Sequence, residues 1–120
     1  MKFEDLRGRT AVITGGGRGL GFSLAAALAG QGVNVALLDI LPEVSRHAED
    51  LAEKFGVRAV GIPTDVTDPE QIEAAFDRVT AEIGTPQILL TAAGITLLEA
   101  AVDIDPAQWR RLQSINVDGT

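Results

Sequence analysis

Between Thr14 and Gly21 the chain reads Thr-Gly-Gly-Gly-Arg-Gly-Leu-Gly, set between an apolar run and a longer helix-like one. A diphosphate must come close to backbone N–H groups, and a side chain at those positions would block it. Glycines at a strand-to-helix turn therefore suit anion binding, and the helix N-terminus beyond adds unpaired N–H groups and partial positive charge. No strict G-x-G-x-x-G occurs here; the glycines that fit a pattern are Gly15, Gly19 and Gly21. Gly17 and Leu20 fall inside the same turn and are counted with it as contacts. The rival reading is a tight corner with no ligand. Asp39 ends the second apolar run, near the roughly 20-residue spacing at which an acid meets adenosine ribose hydroxyls. A carboxylate accepts hydrogen bonds from a free diol and repels a 2′-phosphate, so NAD is favoured over NADP. Ile40, not an arginine, follows, which points the same way. The alternative is that Asp39 caps the loop before Pro42. Arg18 faces solvent or lies near the pyrophosphate, and because a guanidinium pairs with phosphate it keeps NADP as the minority option.

These groups need a scaffold, and the pattern around them supplies one. Thr10–Thr14 is short, β-branched and closed by glycines, as a buried strand is. Leu20 to Gly30 is almost all Ala, Leu and Gly, predicting a helix buried on most sides and stopped by Gly30 or Gly32. Val33 to Leu38 is a second strand, ending at Asp39. Pro42 opens a helix with Val44, Ala48, Leu51, Ala52 and Phe55 at helical spacing, closed by Gly56. Arg58 to Ile62 is a third strand. Thr67-Asp-Pro-Glu-Gln71 carries a capping oxygen and a first-turn proline, and Ile72, Phe76, Val79 and Ile83 form the buried stripe of the helix that Gly84 ends. Gln87 to Thr91 is a fourth strand, and Asp105-Pro106 starts a last helix through Trp109, Leu112 and Ile115. Strands alternating with helices predict an α/β, doubly wound parallel sheet of the Rossmann type in order 3-2-1-4. The ligand crevice lies between strands one and four, and residues 1–120 form one domain.

Composition narrows the partners. Apolar residues make up 46% and charged residues 22%, the balance of a soluble globular chain. A formal charge of −7 disfavours nucleic acid and anionic membranes. There is no cysteine, so disulfides and thiolate metal sites are excluded. Glu43, Glu49, Asp50 and Glu53 form a solvated helix face, with no metal cage. No run approaches the roughly 18 apolar residues of a membrane span, and the charged start lacks a signal peptide's apolar core. A cytoplasmic location is expected. His47, the single histidine, falls on the polar side of its helix and reads as solvated. Trp109 reads as core or subunit packing.

The Thr14 turn, with its Gly15, Gly19 and Gly21 spacing, resembles the T-G-x-x-x-G-x-G turn of the short-chain dehydrogenase/reductase superfamily. Three further segments match in order. Asp65-Val66 looks like the family's contact to adenine, against a plain turn aspartate as the alternative. Thr91-Ala-Ala-Gly94 stands where the family has N-N-A-G. Ala93 and Gly94 fit; Thr91 and Ala92 replace the asparagines, so Thr91 supplies at most part of their bonding while Ala92, Ala93 and Gly94 border the cofactor. Asn116-Val-Asp-Gly resembles N-x-x-G, which implies that Asn116 supports a catalytic lysine through water; otherwise it merely loosens a helix end. The resemblance spans the whole chain.

It implies an NAD-dependent oxidoreductase interconverting an alcohol and a ketone, homo-oligomeric at full length. The family's catalytic serine and Tyr-x-x-x-Lys lie further along than these 120 residues reach, so the chain is expected to stop after the fourth strand and its helix. It contains no tyrosine. Ser114 and Lys54 are not at matching positions. Two other readings stand beside this one: a catalytically inert, truncated nucleotide-binding module, and an S-adenosylmethionine-dependent methyltransferase. Thr14 and the glycine spacing disfavour the latter.

Overall fold

The computed structural model describes residues 1–120. Four strands and four main helices alternate: β1 (Thr10–Thr14), α1 (Gly19–Gly30), β2 (Asn34–Asp39), α2 (Val44–Phe55), β3 (Ala59–Pro63), α3 (Pro69–Glu82), β4 (Ile88–Thr91) and α4 (Pro106–Gln113). The end of α4 widens into a π-helical turn, Ser114–Asp118. All strands pair in parallel in the order β3-β2-β1-β4. Ile13 stands opposite Leu37 on one side and Leu90 on the other.

Every residue of β1 and β2 is buried, as expected for central strands covered on both faces. Side chains alternate between the faces. Ala11, Ile13, Val35 and Leu37 pack against α1 and α2; Val12, Ala36 and Leu38 pack against α3. The doubly wound sheet and its 3-2-1-4 order are therefore as the sequence predicts. No helix is long and apolar enough to cross a membrane.

Local chemistry sets the helix ends. Asp68 caps α3 by accepting from the N–H groups of Glu70 and Gln71, with Pro69 in the first turn. Asp105 and Gln108 form a reciprocal capping box on α4. Gly56 ends α2 in the left-handed region, φ +68°.

The helix surfaces depart from expectation in three places. Helix α1 is not buried on most sides: Gly21, Ala25 and Ala29 face the sheet, while Leu20 is 74% exposed. Small residues at every fourth position let this helix sit close, while Leu20 and Leu24 point outward and Leu28 packs at the margin of the core. On α3 the fully buried stripe is Ala75, Val79 and Ile83, with Ile72 and Phe76 only half-buried at its margin. Trp109 is 52% exposed and belongs to no core cluster, because α4 buries no residue, so of its two expected roles the one in the core is not met.

Candidate functional site

The turn after β1 folds back over the carboxyl edge of the sheet. The N–H groups of Gly15 and Gly16 both donate to the Leu38 carbonyl, at 2.7 and 3.3 Å. Gly15 is left-handed (φ +65°), and a Cβ there would lie 2.6 Å from the Ala93 nitrogen, so β4's exit segment packs directly on it. A Cβ at Gly21 would lie 2.1 Å from the Gly15 carbonyl oxygen. Only glycine permits this closure of helix onto strand. Gly19 differs: at φ +57° it has nothing within 4 Å and borders open space.

That geometry leaves donors unpaired. Arg18, the N-cap of α1, is extended and caps nothing with its side chain. The N–H groups of Arg18, Gly19, Leu20 and Gly21 donate to no protein acceptor; the first in the helix to do so is Phe22, to the Arg18 carbonyl. Convergent free N–H groups at a helix N-terminus are an anion site.

Asp39 closes β2 beside this turn, only 8% exposed. Its Oδ2 accepts the Gly17 N–H at 3.0 Å and its Oδ1 accepts the Leu41 N–H at 3.1 Å. The loop-capping reading is thus realised. A carboxylate has about four lone-pair sites, so room for a diol is left. Gly17 corrects the sequence reading. It does not line the groove; it lies buried against Asp39, where a Cβ would sit 3.0 Å from Oδ2, and its N–H is already used.

An open groove of about 390 Å³ runs from this turn across the ends of β1, β2 and β4. Gly15, Arg18, Gly19, Leu20 and Gly21 form one end of it, and Asp39 and Ile40 border it. Asp65 and Val66 line it after β3, and Ala92, Ala93 and Gly94 after β4. The Asp65 Oδ1 accepts both the hydroxyl and the N–H of Thr67, at 2.7 and 2.9 Å. The hydroxyl bond, then the backbone bond, hold this carboxyl below the usual aspartate range, and the Arg111 charge adds to the effect. Oδ2 has no protein partner and stays available to an amino group.

Arg111 lines the groove and the sequence reading missed it. It sits on the amphipathic α4, where a basic residue near a helix C-terminus looks like ordinary dipole complementation. Thr91 does not bridge the sheet edge. Its side chain is exposed and unbonded, and the Thr14 hydroxyl takes that place by accepting the Ala93 N–H at 3.4 Å. Asn116 lies outside the groove's lining, in the π turn. Its amide grips both backbone groups of Ile95, accepting the N–H and donating to the carbonyl at 2.8 Å each. The Ser114 hydroxyl donates to the Arg111 carbonyl and Lys54 lies over the Phe55 ring, so neither stands as a nucleophile or base.

His47 overturns its surface reading. It is half-buried, its Nδ1 is 2.6 Å from the Gly17 carbonyl oxygen, and its ring lies 5.7 Å from that of Phe22.

Comparison with known proteins places this arrangement. The sequence model of the short chain dehydrogenases matches residues 9–120. A short chain dehydrogenase/reductase of Macrophomina phaseolina is 38% identical over 119 residues, covering 96% of this chain and 67% of that protein. The cis-4-hydroxycyclohexanecarboxylate dehydrogenase of Sinomonas cyclohexanicum is 36% identical over 97% of this chain, which spans 47% of that enzyme. The crystal structure of L-sorbose reductase from Gluconobacter frateurii, complexed with NADPH and L-sorbose, superposes with a TM-score of 0.85 at 30% identity. The match takes in 95% of this chain and 44% of that one.

Proposed function

This chain belongs to the short-chain dehydrogenase family, and from that premise we propose that it is the nucleotide-binding part of an NAD-dependent oxidoreductase interconverting an alcohol and a ketone. The observation that carries the proposal is the set of unpartnered N–H groups from Arg18 to Gly21, in residues that line the same groove as Asp65. The residues present suit a dinucleotide. Those donors would hold the diphosphate, Asp39 the adenosine ribose, and Asp65 with Val66 the adenine. The nicotinamide, when bound, supplies the hydride chemistry. What these residues do is bind and orient: Gly19 leaves room for phosphate oxygens, and Ala92 to Gly94 give the cofactor a smooth floor without side-chain obstruction.

Proton transfer at the alcohol oxygen needs a general acid/base. None of the 120 residues is a tyrosine, and the resemblance puts Asn116 behind that step as a support for lysine, not as the acid or base. The protein would act in the cytoplasm as a homo-oligomer, on a small alcohol or ketone.

NADP is the second reading. It is favoured by the NADPH in the L-sorbose reductase structure and by two guanidinium groups, Arg18 and Arg111, on the groove. Fluorescence titration with NADH and with NADPH separates the two. Binding of NADH that collapses in Gly19→Val and Asp39→Lys supports the proposal. Undiminished binding in both variants overturns it, and tighter NADPH binding by the native chain shifts it to NADP.

A further inference from the structure

Gly17 is held at both ends of its backbone: Asp39 takes its N–H at 3.0 Å, and the Nδ1 of His47 lies 2.6 Å from its carbonyl oxygen. A carbonyl only accepts, so His47 must be the donor, and its Nδ1 must carry hydrogen. The Gly17 carbonyl shares one peptide unit with the Arg18 N–H. No cis peptide occurs in the chain, and in a planar trans unit the C=O and N–H point in opposite directions. Fixing the carbonyl toward α2 therefore fixes the Arg18 N–H away from α2, and this is the first of the unpartnered donors at the mouth of α1.

The ring itself is held by what surrounds it. Val44, Ala48 and Leu51 bury one side of α2 and fix its rotation. The Ser45 hydroxyl donates to the Gly61 carbonyl at 3.0 Å, and a Cβ at Gly61 would lie 2.2 Å from the Val44 carbonyl oxygen, so the start of α2 is seated directly on β3. Phe22, on α1, meets the imidazole with the rings tilted by 58°. The histidine is thus wedged between two helices with its nitrogen aimed at the turn.

We propose that His47 is a positioning residue for the diphosphate turn: by donating from Nδ1 to the Gly17 carbonyl it sets the Gly17–Arg18 peptide and so the direction of the Arg18 N–H. The proposal rests on the dinucleotide reading of the groove. A donor on Nδ1 is mimicked by the short amide of asparagine, whereas phenylalanine keeps a ring against Phe22 and removes the donor.

Calorimetry would compare ADP, adenosine and NADH on the native chain, His47→Phe and His47→Asn, and imidazole nitrogen NMR on the native chain would read the tautomer. The expected result is hydrogen on Nδ1, ADP and NADH affinity lowered about fivefold in His47→Phe, adenosine affinity unchanged, and ADP affinity largely restored in His47→Asn. Hydrogen on Nε2 alone overturns the proposal. So does a loss for adenosine as large as that for ADP, which marks general damage, or an asparagine variant no better than phenylalanine. If the native chain binds none of the three ligands, the dinucleotide reading itself fails and takes this proposal with it, whatever the tautomer.

Discussion

Asp39 carries two backbone hydrogen bonds before any ligand arrives. An amide here can accept only one of the two, so replacing the carboxylate tests its charge together with one backbone bond. Asp39→Asn keeps one acceptor oxygen and the outline of the side chain but removes the repulsion toward a 2′-phosphate. NADH affinity is expected to fall about tenfold, by loss of charge-assisted bonds, while NADPH affinity rises; paired titrations check the opposite signs. At Asp65 the relevant quantity is a proton. Its carboxyl titrates below the usual aspartate range because the charged form receives the two Thr67 bonds. A carboxyl whose folded-state pKa is depressed contributes stability above the ordinary aspartate range, and that contribution is lost as pH falls through the folded value. Thr67→Val removes the hydroxyl bond, so carbon NMR should show Asp65 titrating at a higher pH than in the native chain. No shift would mean that the bond is not formed in solution.

Among the elements, α4 depends most on its ends. It buries no residue, yet Arg111, Ser114 and Ile115 at its end border the groove. The capping box of Asp105 and Gln108 should therefore count for more than on a well-packed helix. Asp105→Ala is expected to cost about 1 kcal/mol and to speed amide exchange along α4, leaving β1 unchanged. Much at this scale is legible in the chain. Short β-branched runs such as Thr10–Thr14, and proline after aspartate at Asp68 and Asp105, mark elements by local chemistry alone. The candidate site is legible to the same degree where it consists of glycines and acids at fixed spacing. Other features left no such mark. The apolar run of α1 looks buried all round, but only contact with the sheet decides that Gly21, Ala25 and Ala29 turn inward. His47 sits among polar neighbours on a helical wheel, and its partner is a backbone carbonyl, which has no sequence signature. The Thr14 hydroxyl bonds to the exit of β4 while that of Thr91, on β4 itself, is exposed and unbonded, a difference that residue type alone does not mark.

For the molecule as a whole, the two core clusters meet at β1 and β2, whose residues are buried throughout. Truncation there should be felt globally: Leu37→Ala, at a fully buried position, is expected to lower unfolding free energy by about 3 kcal/mol, measured by urea titration. The segment after β4 is secured differently, by the two bonds from Asn116 to Ile95. That hold depends on the widened turn at Ser114–Asp118, where the Gly119 N–H reaches back five residues to the Ser114 carbonyl. Counted along the chain, such a turn is one amino acid more than a regular helix needs. Excising that surplus residue would let the hydrogen-bond ladder continue without a break, yet swing Asn116 about 100° around the axis and cut the tether to Ile95. Regularising the helix would thus release the strand's exit, so in this chain an irregularity is the fastening.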